Sequence, residues 1–181
     1  PTTWYLDRHD QPSGPEYDLV AAFARHLDVA VELVVRETPS AVLEAIDAGE
    51  ADLAAAGLTA TEARSGSYLF GPAYKVIHEQ LVCHREGPRP RKLAGLADVG
   101  IVVPQGTSYV DTLTTLAEAY PEVGFETRDV GTEQLLAAVA AREVDCTVAD
   151  SHIVAIKRRY HPPLVVALDL SEDEQLVWMM A

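Results

Sequence analysis

The sequence predicts an α/β protein composed of two similar lobes. Strand-like apolar segments alternate along the chain with amphipathic segments that have helical spacing. The chain also repeats itself with a shift of 93 positions, so that "LEAIDAGEADLAAAG" (43–57) aligns with "LAAVAAREVDCTVAD" (136–150). Both segments have the pattern helix, turn, strand, which indicates two lobes of the same design. We expect mainly parallel sheets, because helices join successive strands.

The first half of the chain contains two predicted helices and two predicted strands. Pro15 opens the first helix, since proline is favoured in a first turn. The valine-rich segment 29–35 predicts a strand. Thr38 caps the second helix, and Gly49 ends it. A strand of very small residues, 52–56, follows.

The second half continues the alternation. Segment 74–86 predicts one long strand, and "GPRPRK" (87–92) interrupts the pattern. The later predicted strands are 99–103, 124–129, 145–149, 164–168 and 174–180. The predicted helices between them are 107–119, 132–142 and 151–159.

Composition excludes some classes of function. The formal net charge is −14 and the pI is near 4.7, which argues against nucleic-acid binding because phosphates require a basic face. No apolar run approaches the roughly 20 residues that span a bilayer. The chain begins at Pro1 as a trimmed piece would, so we read no localisation from a targeting signal.

The two cysteines, Cys83 and Cys146, both lie in strand-like segments. They are either two small buried apolar residues or one disulfide formed in an oxidising compartment. Sequence alone cannot decide the pairing, so both interpretations stay open.

Three features point to an anion and a cation bound side by side. Arg64 follows the small-residue strand and offers a planar set of donors for a carboxylate, although a surface arginine on a short helix would look the same. The segment "PQGTSYV" (104–110) opens a helix whose amino terminus favours an anion, or is a plain turn. Asp150 follows a strand and either binds an ammonium or caps the next helix. Together they describe an α-amino-acid site.

The residues that we assign to ligand binding come from both halves of the chain. Trp4 and Tyr5 are candidates for an aromatic wall over the ligand, with core packing as the alternative. The full candidate set is Trp4, Tyr5, Gly57, Thr59, Arg64, Thr107, Ser108 and Asp150. No catalytic, metal-binding or cofactor-binding motif is present, and "ADSHI" (149–153) is no triad because a triad is assembled from separate segments. We therefore predict no catalytic residue, metal or cofactor for this chain.

Several segments resemble known families. "GPEYDLVAAFARHL", "ADLAAAGLTATEAR", "VVPQGTSY" and "VDCTVADS" resemble successive signatures of family 3 extracellular solute-binding proteins. "GPAYKVIHEQLVCHREGPRPRKLAGL" and "LVVALDLSEDEQLVWMM" are similar to the amino-terminal regulatory domain of the membrane-bound lytic murein transglycosylase F family. These segments span most of the chain.

The resemblance implies a type II periplasmic-binding-protein fold with a ligand cleft and a two-strand hinge. Lobe 1 would comprise 1–85 and 171–181 and lobe 2 would comprise 86–170, with the chain crossing near 84–88 and 168–173. The resemblance also implies that Arg64 anchors the ligand carboxylate with Thr59 as hydroxyl partner, and that Asp150 contacts the ligand ammonium. Gly57 would offer its carbonyl, and the remaining ligand contacts would be the amides and hydroxyls of Thr107 and Ser108.

Three departures from the family pattern limit what it implies. The first strand of lobe 1 would precede Pro1, and Pro39 stands where many amino-acid binders have an aromatic residue. The chain also stops at Ala181 without the closing helices of a transport-type protein, as expected of a domain of something longer. The catalytic domain of a transglycosylase would follow, so this chain should not cleave glycan. The implied ligand is an amino acid or a muropeptide, and the implied location is the periplasm, with the full-length protein attached to the outer membrane.

Three alternatives stay open. A transport-type amino-acid-binding protein would share the same site. A dehydratase-like enzyme on the same fold would need an acid or base in the cleft, for which Asp150 and Glu62 are the candidates. A pair of lobes that has lost binding would serve as a docking module.

Overall fold

The computed structural model describes residues 3–181, which form two larger β-sheets, the helices against them and a short hairpin. The helices are α1 (Pro15–Leu27), α2 (Pro39–Asp47), α3 (Glu62–Ser65), α4 (Ser108–Ala119), α5 (Thr132–Ala140), α6 (Ser151–Tyr160) and one 3-10 helix (Leu93–Asp98). The strands are β1 (Tyr5–Leu6), β2 (Pro12–Ser13), β3 (Ala54–Thr59), β4 (Leu69–Phe70), β5 (Lys75–Ile77), β6 (Glu79–His84), β7 (Ile101–Pro104), β8 (Phe125–Arg128), β9 (Cys146–Asp150), β10 (Leu164–Asp169) and β11 (Glu174–Met180). Within 3–181, no helix combines the length and the apolar character that crossing a membrane requires.

The smaller sheet has four strands. Their order is β3-β11-β4, and β5 also pairs with β11. All of these pairs are antiparallel. Helix α2 packs against the sheet because Ile46 shares one buried cluster with Ala54 and Leu58 of β3 and with Val177 and Met179 of β11. This packing fixes the end of β3 that leads to α3.

The larger sheet has five strands in the order β10-β6-β9-β7-β8, and helices cover both faces. On one face, Leu113 of α4 and Leu96 of the 3-10 helix belong to one buried cluster. On the other, Leu136 of α5 and Val154 of α6 belong to a second. Strand β9 is buried at every position, as expected of a strand with both faces covered. Asp150, its last residue, is therefore held on a rigid platform.

The strand directions differ from our prediction of mainly parallel sheets, which is wrong. Within residues 3–181, parallel pairing is confined to β7, which pairs with β8 and β9. Strands β6 and β10 pair antiparallel with their neighbours. Strand β6 carries the chain into the larger sheet and runs against every other strand of it, so both pairs that it forms are antiparallel.

The chain passes between the two sheets at two places. His78 lies between β5 of the smaller sheet and β6 of the larger one, so the predicted long strand 74–86 is two strands in different sheets. Residues 170–173 lead from β10 back to β11. The first passage therefore comes several residues before the expected 84–88. Sequence could not locate it, because an apolar run has the same pattern in either sheet.

The internal repeat is present in the structure. Helix α2 shifted by 93 positions gives 132–140, which are the bounds of α5. The turn that follows each helix is also the same. Gly49 has a φ of +68° and Arg142, its equivalent, has a φ of +65°. Their amides donate to Ile46 and Val139 respectively, each at 3.0 Å.

The predicted strand at 29–35 is wrong, since this segment has no strand pairing. Its larger side chains are exposed, with Val35 at 51% and Leu33 at 40%. Strand β3, the nearest candidate neighbour, occupies the edge of its sheet and pairs on one side with β11. Valine-rich composition predicts only that a residue suits a sheet, whereas a strand forms when another strand satisfies its backbone groups.

The two cysteines form a disulfide. Cys83 of β6 and Cys146 of β9 lie directly opposite each other, and both are fully buried. Their sulfurs are bonded and their Cα atoms are 4.2 Å apart. Of the two interpretations that the sequence left open, the structure has the disulfide, which joins the neighbouring strands β6 and β9.

Candidate functional site

A cleft of about 450 Å³ lies between the two sheets. Six of the eight predicted ligand-binding residues line it. From the side of the smaller sheet these are Gly57, Thr59 and Arg64, and from the side of the larger sheet they are Thr107, Ser108 and Asp150. The structure thus brings together residues as far apart in sequence as positions 57 and 150.

The predicted aromatic wall lies outside this cleft. Trp4 lines a separate cavity of about 730 Å³ beside segment 29–35, and Tyr5 is 40% exposed in β1. The reason is local, because the Thr3 carbonyl accepts a hydrogen bond from the Glu16 amide (3.1 Å). This bond places Thr3, rather than the aromatic residues that follow, at the edge of the cleft.

Arg64 is buried, with 8% of its surface exposed. It lies on α3, where the Thr61 side chain accepts the Arg64 amide and starts the helix. The guanidinium donates through Nη1 to the Thr59 carbonyl (2.8 Å) and through Nη2 to the Gly106 carbonyl (2.7 Å). Burial lowers the pKa of Arg64, while nearby acids raise it again, so the group stays cationic. The alternative of a surface arginine is therefore not what the structure shows.

The amino terminus of α4 faces the same cleft. Thr107 precedes this twelve-residue helix, but no side chain caps its first amides. The Thr107 hydroxyl donates instead to the Pro104 carbonyl (2.8 Å), and the Ser108 hydroxyl donates to Glu79 Oε1 (2.5 Å). The helix therefore presents uncapped N–H groups, and these favour an anion. Both hydroxyls already donate to the protein, so they can only accept from a ligand.

Asp150 is almost fully buried and does not cap α6. Its Oδ1 accepts from the Tyr109 hydroxyl (3.0 Å), and the Asp150 amide donates to the oxygen of that Tyr109 hydroxyl (3.2 Å). The pKa of Asp150 is raised to about 7, mainly by burial and further by the charge of Glu79, although the Tyr109 hydrogen bond opposes the shift. A cation beside this carboxylate would relieve the cost of the buried charge.

Gly57 has a left-handed backbone, with a φ of +65°. Its amide donates to Glu16 Oε1 (3.0 Å), and Glu16 also accepts from the hydroxyl of Tyr74 and from Trp178 Nε1 (2.9 Å). Strand β3 continues to Thr59, so Gly57 lies within the strand rather than after it as predicted. The buried Glu16 fixes the backbone at this point of the cleft.

Contacts across the cleft hold the two sides close together. Besides the bond from Arg64 to the Gly106 carbonyl, Ser40 at the start of α2 donates to Asp129 Oδ1 (2.6 Å). Hydrogen bonds from Ser40 and Thr38 lower the pKa of Asp129. A Cβ atom on Gly106 would lie 2.9 Å from the Ser40 Cα. The approach of the two sides therefore requires glycine at position 106.

Several residues of the site were not predicted from the sequence. Glu79 is fully buried beneath Ser108, and Tyr109 bonds Asp150. His152 lines the cleft, and burial lowers its pKa to about 4. The one available signal was the acid at the head of the apolar strand "EQLVCH", because a charge at the start of a central strand is unusual.

The dehydratase alternative loses one of its two candidate acids. Glu62 is exposed on α3 and is not among the residues that line the cleft. Asp150 remains, but its carboxylate is already bonded to Tyr109. The geometry of these two acids therefore lends the dehydratase alternative little support.

Comparison with known proteins identifies relatives. The profile of the bacterial extracellular solute-binding proteins, family 3, matches residues 1–108. The chain is 45% identical over 181 residues to membrane-bound lytic murein transglycosylase F 2 of Alkalilimnicola ehrlichii, covering 99% of this chain and 40% of the relative. It is 41% identical over 179 residues to membrane-bound lytic murein transglycosylase F of Maricaulis maris, covering 98% of this chain and 39% of that one. The chain thus spans about 40% of the length of these relatives.

A solved structure has the same fold at low sequence identity. The solute receptor for L-cysteine of Neisseria gonorrhoeae superposes with a TM-score of 0.84 at 23% identity, over 99% of this chain and 72% of the receptor. The likeness confirms the predicted type II periplasmic-binding-protein fold.

Proposed function

The chain belongs to family 3 of the bacterial extracellular solute-binding proteins, and we propose that it binds an α-amino acid, free or at the end of a wall-derived peptide, between two lobes. One observation carries the proposal. Arg64 and the uncapped amino terminus of α4 line the same cleft as the buried Asp150.

The three groups match the two charges of an α-amino acid. A carboxylate gains charge-assisted hydrogen bonds from a guanidinium and from helix amides. An ammonium forms an ion pair with a buried carboxylate. We keep the proposed hydroxyl role of Thr59 and the proposed carbonyl role of Gly57, since both residues line the cleft together with Arg64.

We propose further that the chain is the non-catalytic, regulatory part of a longer cell-envelope enzyme. The support is that its relatives are named lytic murein transglycosylases and that it covers about 40% of their length. A catalytic domain elsewhere in the full-length protein would cleave peptidoglycan in the periplasm, with the protein attached to the outer membrane. The ligand would then be an amino acid or peptide released from the wall.

Closure of the lobes would be the signal. In place of the expected lobes 1–85 with 171–181 and 86–170, we propose a first boundary at His78, because β5 and β6 belong to different sheets. A ligand that touches both sides stabilises the closed arrangement by its difference in affinity for the two states. The contacts from Arg64 to Gly106 and from Ser40 to Asp129 belong to that arrangement.

A screen by thermal shift followed by calorimetry tests the binding proposal. The ligands are the twenty standard L-amino acids and synthetic stem peptides with a free amino or a free carboxyl end. Saturable binding of free amino acids or of peptide ends supports the site. Absence of binding up to millimolar concentration, where a complex has only about 4 kcal/mol of binding free energy, would refute it.

The regulatory proposal needs the full-length protein. The rate of peptidoglycan cleavage should change when the ligand found in the screen is added, whereas this chain alone should release no muropeptide. An unchanged rate at saturating ligand would instead favour a transport-type amino-acid-binding protein. That second candidate is supported by the fold that the chain shares with the L-cysteine receptor.

A further inference from the structure

Two acidic side chains lie together beneath the cleft. Glu79 of β6 and Asp150 of β9 are directly opposite each other in the antiparallel pair, and such pairs place their side chains on the same face of a sheet. Glu79 is 0% exposed and Asp150 is 3% exposed. Glu79 Oε1 accepts from Ser108, while Oε2 is buried and has no hydrogen-bond partner within residues 3–181.

The charges around this pair do not balance two ionised carboxylates. Arg64 is the cation that faces the pair, and its guanidinium already donates to two backbone carbonyls. Glu174 at the start of β11 adds a further acid. The phenols of Tyr74 and Tyr109 also face the pair. The half-buried imidazole of His152, which Lys75 helps to keep uncharged, lines the same cleft.

Electrostatics of the pair favour retention of a proton. Burial raises the pKa of Glu79, and the hydroxyls of Ser108 and Thr112 lower it again. Burial and the charge of Glu79 both raise the pKa of Asp150. Two such carboxyls titrate as one unit, because the first ionisation opposes the second.

We propose that Glu79 is the second acid of the amine subsite, and that a ligand ammonium bound beside Asp150 displaces a proton from the Glu79–Asp150 pair into solvent. This inference rests on the proposed function. The O–H bond of the protonated carboxyl breaks and its proton passes to water or buffer. The ligand cation then replaces that proton as the positive charge of the pair. The site would therefore select a protonated free amine and reject an acylated one, which brings no charge.

The inference fixes the sign of a pH effect. If binding releases one proton, the dissociation constant rises about tenfold for each unit by which the pH falls below the apparent pKa of the pair. Above that pKa the pair is already ionised, and binding becomes independent of pH.

The test is calorimetry at pH 6 in two buffers of different ionisation enthalpy, with the standard L-amino acid that binds most tightly in the screen. We expect release of about one proton by the wild type and clearly less by Glu79→Gln, which can still accept from Ser108. Glu86→Gln is the matched control, because Glu86 is exposed beyond the other end of β6. The N-acetylated form of the same amino acid should bind at least tenfold more weakly to the wild type.

Carbon-13 NMR titration of the side-chain carboxyls in the ligand-free protein tests the pair without any ligand. We expect one group to titrate near neutral pH in the wild type and at lower pH in Glu79→Gln. Three results would overturn the inference: ligand binding without proton release, proton release by Glu79→Gln equal to that of the wild type, or two carboxyls that both titrate below pH 5. Failure of every amino acid to bind at any pH would refute the proposed function instead, and the NMR titration would still decide on the pair.

Discussion

Substitution of Gly106 tests whether the closed arrangement depends on close approach at this position. Gly106 has a φ of +76°, and an added Cβ would lie 2.9 Å from both Cα and the amide nitrogen of Ser40. Backbone atoms at this distance cannot rotate away as a side chain can. In Gly106→Ala the two sides of the cleft must therefore separate, and the hydrogen bond from Arg64 to the Gly106 carbonyl is lost.

The magnitude follows from that hydrogen bond. Its donor is charged and 8% exposed, and a hydrogen bond of this kind contributes about 2 kcal/mol. Loss of 2 kcal/mol from the closed state corresponds to about a 30-fold weaker affinity for any ligand that needs closure. Calorimetric titration measures this ratio, and small-angle scattering should detect a larger radius of gyration in the liganded variant.

Gly49→Ala is the matched control. Gly49 has a φ of +68°, but nothing lies within 4 Å of an added Cβ. The control variant has the same backbone strain of about 1 kcal/mol, which lowers the free energy of unfolding without opposing closure. Equal dissociation constants for the two variants would refute the reasoning.

Three further predictions concern stability. Replacement of Cys83 and Cys146 by serine should lower the free energy of unfolding by about 4 kcal/mol, since the disulfide closes a loop of 63 residues; denaturant titration measures this, and a change under 1 kcal/mol contradicts it. Asp150→Asn should be more stable than the wild type at pH 8, on the order of 4 kcal/mol, and equal to it near pH 4. The sign follows because a folded pKa of about 7 exceeds the unfolded value, so the wild type loses stability as the pH rises through that interval; a difference that does not vary with pH in thermal melts contradicts it. Thr38→Ala should cost about 1 kcal/mol in thermal melts, because Thr38 accepts from the Ala41 amide at the start of α2; an unchanged midpoint contradicts it.

The parts of the fold that sequence predicted are those fixed by local interactions. Both repeat segments have a helix that is followed by a left-handed residue, Gly49 or Arg142. The first of these helix ends was predictable because the residue is a glycine. The strand prediction for segment 29–35 was wrong because a strand depends on interactions that are not local. Its valines suit a sheet, but pairing depends on a neighbour that no local pattern reveals.

The site likewise contains some residues that the sequence predicted and others that it could not. Arg64 and Asp150 were predictable because each follows a strand at the edge where ligands bind in α/β sheets. Glu79 was not predictable, because its importance comes from lying opposite Asp150 in an antiparallel strand pair, and these two residues are 71 positions apart in the sequence. Trp4 and Tyr5 were assigned to the cleft by residue type alone, and the contact between Thr3 and Glu16 places them elsewhere.

The central claim is that the cleft holds an α-amino group and its carboxylate between Asp150 and Arg64. Calorimetric titration of the wild type, Arg64→Ala and Arg128→Ala with the tightest-binding L-amino acid tests it most directly. Arg128 is a half-exposed arginine on β8 outside the cleft, so its removal controls for the loss of one positive charge. The account predicts saturable binding that Arg128→Ala keeps and Arg64→Ala weakens at least 100-fold. Binding of equal strength in all three proteins would contradict it.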